Sequence, residues 1–156
     1  PTLLKQTLRQ ICRDARPFHI SLDALRLGKF FALMLSKPNP KIQSLAEIMV
    51  REIDAFREPI SKEELVIRRS KGLTPSQDEN LINWGYPYVF SEFRFHITLT
   101  GKIQSSREQA IIYDAIQRHF SEFLNKSMEI EYICLFRQTN REAPFLLVDQ
   151  FKLGLK

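Results

Sequence analysis

Hydrophobic and polar positions alternate along this chain with two different periods. Leu3, Leu4, Leu8 and Ile11 recur at helical spacing, which predicts a helix over residues 2–14 that Pro17 stops. Phe18, Ile20, Leu22 and Ala24 then alternate with His19, Ser21 and Asp23, the pattern of a strand over 17–26. Gly28 makes a tight connection into Phe30-Phe31-Ala32-Leu33-Met34-Leu35, an unbroken apolar run that reads as a more buried strand. Past Pro38 and Pro40, the residues Ile42, Leu45, Ala46, Met49, Ile53 and Phe56 mark a long amphipathic helix. Residues 57–90 are the least regular third. Within them Thr74, Pro75 and Asp78 supply a hydroxyl cap, a proline in the first turn and an acid at the positive end of a helix dipole. Leu81, Ile82 and Trp84 pack that short helix and Gly85 ends it. Ser105 or Ser106 caps a further helix, with Ile111, Ile112, Ala115, Ile116, Phe120, Phe123 and Leu124 on its packed face. The pattern closes with strands near 128–136 and 145–152, joined by a polar turn at Thr139-Asn140-Arg141.

The clearest alternation runs from Phe93 to Thr100. Strand parity sends Phe93, Phe95, Ile97 and Leu99 into a core and stands Arg94, His96, Thr98 and Thr100 in a row on the other face. That row holds a cation, a group that titrates near neutral pH and two hydroxyls, the chemistry needed to handle a phosphate. Tyr86-Pro87-Tyr88 leads into this strand, with two aromatic rings suited to stacking on a base or sugar or to plain packing.

Composition narrows the class. The 156 residues suit a single domain with a sizeable core, and no apolar run approaches the ~18 residues of a membrane span. Cys12 and Cys134 provide neither a disulfide framework nor a metal spacing, and read as buried thiols of a cytoplasmic protein. A net charge of +5 favours an anionic ligand, but Lys and Arg are dispersed and form no patch of the kind that binds duplex nucleic acid. The chain opens on Pro1 and not on Met, which fits either a processed start or the later part of something longer.

The order of elements also contains a repeat. The second half runs His96 strand, helix 106–124, strand, strand; the first half runs helix 2–14, strand, strand. A strand before Pro1, equivalent to the His96 strand, completes the symmetry.

His96-Ile97-Thr98-Leu99 resembles the His-x-Thr/Ser-hydrophobic signature of the two-histidine phosphoesterases, which include RNA ligase-like cyclic phosphodiesterases. The surrounding residues are similar to one bacterial branch whose genes accompany phosphonate-utilisation genes. They are Arg68-Arg69, Leu73-Thr74, Gln77, Trp84-Gly85-Tyr86-Pro87-Tyr88, Glu92 to His96 and Thr98 to Gly101, with Arg16-Pro17-Phe18, Gly28 to Leu33 and Cys134-Leu135-Phe136. The resemblance spans nearly the whole chain. It implies an α+β, bilobal, pseudo-symmetric fold of antiparallel sheets with flanking helices, each lobe giving one His-x-Thr/Ser strand to a central cleft. Here the N-terminal lobe is incomplete, because the first such motif of the branch lies upstream of the segment matching Arg16-Pro17-Phe18. On this reading residues 1–56 are the remnant of the first lobe, 57–90 a connecting segment and 91–156 the second lobe.

The resemblance implies His96 and Thr98 as catalytic residues, with Arg94, Thr100, Tyr86 and Tyr88 binding substrate, no metal and no cofactor. One histidine activates water or a ribose hydroxyl, and the other protonates the leaving oxygen. The implied reaction is hydrolysis of a small cyclic phosphodiester, with a ribosyl cyclic phosphate from phosphonate breakdown as the suggested case. The alternative is a non-catalytic module that binds phosphate, nucleotides or RNA ends. The expected partners are a small phosphorylated molecule or nucleotide and, through an exposed sheet edge, a second copy of the chain. Arg94 has a rival role in a salt bridge to Glu92 or Glu122, and Arg68-Arg69 reads as a cleft lining or a solvated surface. His119 reads as surface or core edge. Phe18-His19-Ile20-Ser21-Leu22 matches Phe95-His96-Ile97-Thr98-Leu99 position by position, so His19 is a stand-in for the absent motif or an exposed strand histidine. Element order favours the latter, since 17–26 corresponds to the strand near Met128-Glu129-Ile130.

Overall fold

A computed structural model of the chain describes residues 2–140 and 142–155; Pro1, Arg141 and Lys156 lie outside the described residues. The elements run α1 Thr2–Asp14, β1 Phe18–Ile20, β2 Leu22–Leu27, β3 Phe30–Leu35, α2 Pro40–Ile53, α3 Lys62–Arg69, α4 Pro75–Trp84, β4 His96–Thr98, α5 Ser106–His119, β5 Met128–Ile130, β6 Tyr132–Arg137 and β7 Leu146–Lys152. This is an α+β chain whose described strand pairs are all antiparallel. No helix among the described residues is long and apolar enough to cross a membrane.

The chain divides into two compact units, each discontinuous in sequence and so cutting across the segments 1–56, 57–90 and 91–156. The first comprises Pro1–Pro17, Lys41–Phe93 and Glu131–Lys156, the second Phe18–Pro40 and Arg94–Ile130. In the second unit β2, β3 and β4 form a three-stranded sheet in that order, while β1 pairs with β5. Phe18, Ile20, Leu22 and Ala24 are buried, as strand parity requires, and β2 packs against α5. The single strand expected over 17–26 breaks at Ser21, so its two halves join different sheets. The strand pattern near 128–136 divides in the same way at Glu131.

In the first unit β6 and β7 form a hairpin, and α1 packs on β7 with Leu8, Ile11 and Cys12 buried. The turn at its tip uses Asn140, whose side-chain oxygen accepts from the N–H groups of Glu142 and Ala143. The start of α4 is a full capping box: Thr74 Oγ1 accepts from the Gln77 N–H, and Gln77 reaches back to the Thr74 N–H. Gly85 closes that helix in the left-handed region at φ 70°, where an added Cβ would meet the Arg57 guanidinium at 2.8 Å.

Four expectations are corrected. Cys134 is exposed, because it shares the outward face of β6 with the exposed Tyr132 and Phe136. Ile111 and Ala115 are exposed, because only one face of α5 packs, and Ile116 is its buried residue; Phe123 and Leu124 lie beyond the end of α5, where Leu124 is buried and Phe123 is exposed. Ile97 is 46% exposed, because β4 is a three-residue edge strand paired on one side only. Finally, the irregular stretch contains α3, capped by the Ser61 hydroxyl, with Glu63 and Glu64 in its first turn and Arg68 and Arg69 in its last.

Candidate functional site

Strand β4 is held against β3 in the register Ala32↔Thr98, Leu33↔Ile97 and Met34↔His96. Beyond Thr98 the pairing continues by other means. The Leu99 N–H donates to the Phe31 carbonyl at 2.9 Å, and the Phe31 N–H donates to Thr100 Oγ1 at 3.0 Å. The Thr100 hydroxyl in turn donates its proton to the Gly101 carbonyl at 2.9 Å. Thr100 therefore closes the end of the ladder, and its only donor is committed to the backbone.

His96 is exposed, and its Nδ1 lies 2.8 Å from the carbonyl oxygen of Arg94. A carbonyl can only accept, so Nδ1 carries the proton in this contact. The neutral ring then has its lone pair on Nε2. The Phe30 ring lies beside the imidazole, centroids 6.4 Å apart. Thr98 is exposed on the same strand face, and its hydroxyl has no hydrogen-bond partner among the described residues. Side chains two apart on a strand face stand roughly 7 Å apart at the backbone, a span that one phosphate can bridge with its oxygens. Arg94 is also exposed; among the described residues it forms no ion pair with Glu92, which accepts from Gln77, or with Glu122.

The other predicted residues fall elsewhere. Tyr86 and Tyr88 belong to the first unit, where their half-exposed rings meet edge to face with centroids 5.6 Å apart. Pro87 between them is buried, and Asn80 donates to the Pro87 carbonyl at 3.2 Å, so the pair sits on an anchored segment. The Arg68 guanidinium covers Tyr86 at 5.0 Å while bound to Glu64, and Arg69 forks onto Asp78. Both arginines thus serve α3 and α4. His19 lies in the β1–β5 sheet opposite Glu129, a different sheet from that of His96. His119 sits exposed in the last turn of α5, edge to face with Phe120. No group of three His, Cys, Asp or Glu among the described residues is arranged to hold a metal ion. Sequence reasoning missed the group that orients His96. It is a backbone carbonyl, and no side-chain pattern announces it.

Residues 1–146 match the family described as "Protein of unknown function (DUF1045)". The chain belongs to this family. It is also similar to two curated proteins named ribose 1,5-bisphosphate phosphokinase PhnN. It is 33% identical over 149 residues to the protein from Janthinobacterium sp. (strain Marseille), a match covering 92% of this chain and 32% of that protein. It is 31% identical over 141 residues to the protein from Laribacter hongkongensis (strain HLHK9), covering 90% of this chain and 32% of that protein. The DUF1045 chain thus spans about a third of the length of the curated relatives it matches. No solved structure matches it.

Proposed function

We propose that this chain is one part of a two-histidine phosphoesterase-like protein that hydrolyses a small cyclic phosphodiester. His96 is one of its two acid–base groups, and Thr98 and Arg94 hold phosphoryl oxygens. The observation that carries the reading is the 2.8 Å contact from His96 Nδ1 to the Arg94 carbonyl, which leaves the lone pair of the neutral ring on Nε2, on the same strand face as the unengaged Thr98 hydroxyl. In the reaction, Nε2 takes a proton from water as the water oxygen bonds to phosphorus. The ring P–O bond breaks, and its oxygen takes a proton from the second histidine, giving a phosphomonoester. On this reading the second group is a further histidine of the His-x-Thr/Ser type. Thr100 acts by fixing the strand.

The name of the relatives concerns a ribose bisphosphate, and a ribosyl cyclic phosphate is the substrate of the same chemical kind. Their kinase activity is not carried over. Transfer from a nucleoside triphosphate on a P-loop needs a G-x-x-x-x-G-K-S/T run. The two Gly-Lys pairs of this chain, Gly28-Lys29 and Gly101-Lys102, are preceded at the required spacing by Asp23 and His96, and are followed by Phe30 and Ile103.

A second reading, a phosphate-binding module without turnover, is favoured by one observation: among the described residues β4 is the one strand with a His-x-Thr pair. Phosphorus NMR of cyclic phosphodiesters incubated with the protein separates the two. Conversion to a phosphomonoester supports hydrolysis; line broadening without conversion supports the module.

A further inference from the structure

Arg9 and Arg13 stand one turn apart on α1, so they share a face of that helix. Together with Cys12 they form one wall of a cavity of about 370 Å³, whose other wall is Gln150, Phe151, Lys152 and Leu155. That is the size of a site for a small organic molecule, roughly 300–1,000 Å³. Phe151 and Cys12 are buried and give the cavity an apolar floor, while its rim is basic.

The charges of this rim are not balanced. The neighbouring carboxylates are outnumbered by cations: Asp149 binds Lys5 at 2.9 Å and also feels the charge of Arg9, and Glu131 lies 3.6 Å from Lys152. Arg9 lies over the Phe151 ring at 5.9 Å. Neither Arg9 nor Arg13 has an ion-paired or hydrogen-bonded carboxylate among the described residues. Like charges one turn apart repel, and an anion placed between them turns that repulsion into attraction. Guanidinium groups present forked donors that match the oxygens of a phosphate.

We infer that this cavity binds a small organic phosphate, with the phosphate between Arg9 and Arg13 and the organic part against Phe151 and Leu155. The site shares no residue with the His96 row, and its occupancy does not depend on the reaction proposed above. Inorganic phosphate would satisfy the rim and leave the floor bare, so an aryl phosphate is the tighter ligand.

Titration calorimetry with phenyl phosphate tests this on the whole chain, with R9Q/R13Q and H96A as variants. Saturable binding is expected. It should weaken at least about tenfold in R9Q/R13Q, as the loss of charge-assisted hydrogen bonds implies, and persist in H96A. Phenyl phosphate should also slow reaction of the Cys12 thiol with a maleimide, whereas inorganic phosphate at equal concentration should bind more weakly. Circular dichroism establishes that R9Q/R13Q is folded, and R13Q alone replaces it if it is not. Absence of saturable binding overturns the inference. So does binding that survives in R9Q/R13Q or that disappears in H96A, since either places the ligand elsewhere.

Discussion

Thr98 in β4 and Thr100 just beyond it differ in what their hydroxyls touch. Thr98 has an unengaged hydroxyl beside His96, whereas Thr100 closes the β3–β4 ladder through Phe31 and Gly101. On the proposed reaction, Thr98→Val removes a donor to a charged oxygen and should lower turnover about 10²–10³-fold with little effect on stability. Thr100→Val should show the opposite pattern, losing about 1 kcal/mol of stability, with turnover changed far less. Urea unfolding beside the hydrolysis assay tests the pair, and equal effects on turnover would remove the distinction. Strand parity placed both residues on the polar face, but parity reports direction and not partners. The cysteines show the same limit, since residue type suggested burial for both. Cys12 is buried, and burial pushes its thiol above the ordinary value, while Cys134 is exposed. Only a small fraction of Cys12 is therefore thiolate near neutral pH. Maleimide labelling followed by mass spectrometry should modify Cys134 first; faster labelling of Cys12 would contradict this packing.

At the scale of elements, the parts readable in advance were those whose signals are local. Thr74-Pro75 with Gln77 and Gly85 specifies α4 from cap to cap, and each side chain does there what its type predicts. Thr74→Ala should cost about 1 kcal/mol, read from the denaturation midpoint at constant slope. No change would mean that packing of Leu81, not the cap, holds the helix. The signals of α3 were equally local, a Ser61 cap with acids first and bases last, but the helix buries no residue and so shows no apolar stripe. What stayed hidden depends on distant partners. The alternation over 93–100 is continuous, yet only His96–Thr98 pair as a strand, because Thr100 replaces a backbone partner and β4 has a neighbour on one side alone. Burial of Ile97, Ile111 and Phe123 was overestimated for the same reason. A pattern says which face an element prefers to hide, and cannot say whether something covers it.

For the whole molecule, sequence comparison and charge set the frame. The chain carries a DUF1045 match over residues 1–146 and spans about a third of its curated relatives, so its apolar surface at Phe136, Leu146 and Leu147 belongs to a chain with much longer counterparts. Its net charge of +5 rests on carboxylates that are partly tied to bases. Hydrogen bonds from Arg69 hold Asp78 below the usual carboxylate range, and the Lys5 hydrogen bond does the same for Asp149. A depressed folded value favours the charged carboxylate in the native state. The stabilisation is therefore present above the unfolded value and is lost as pH falls through the folded one. Melting temperatures followed below about pH 4 should fall more steeply for the wild type than for Asp78→Asn; parallel curves would show that the fork contributes nothing. The central claim concerns a single imidazole, and the turnover of a cyclic phosphodiester by the intact protein carrying His96→Ala tests it most directly. The account predicts a loss of about 10²–10⁴-fold in kcat/KM with an unchanged unfolding midpoint, and turnover equal to that of the wild type would contradict it.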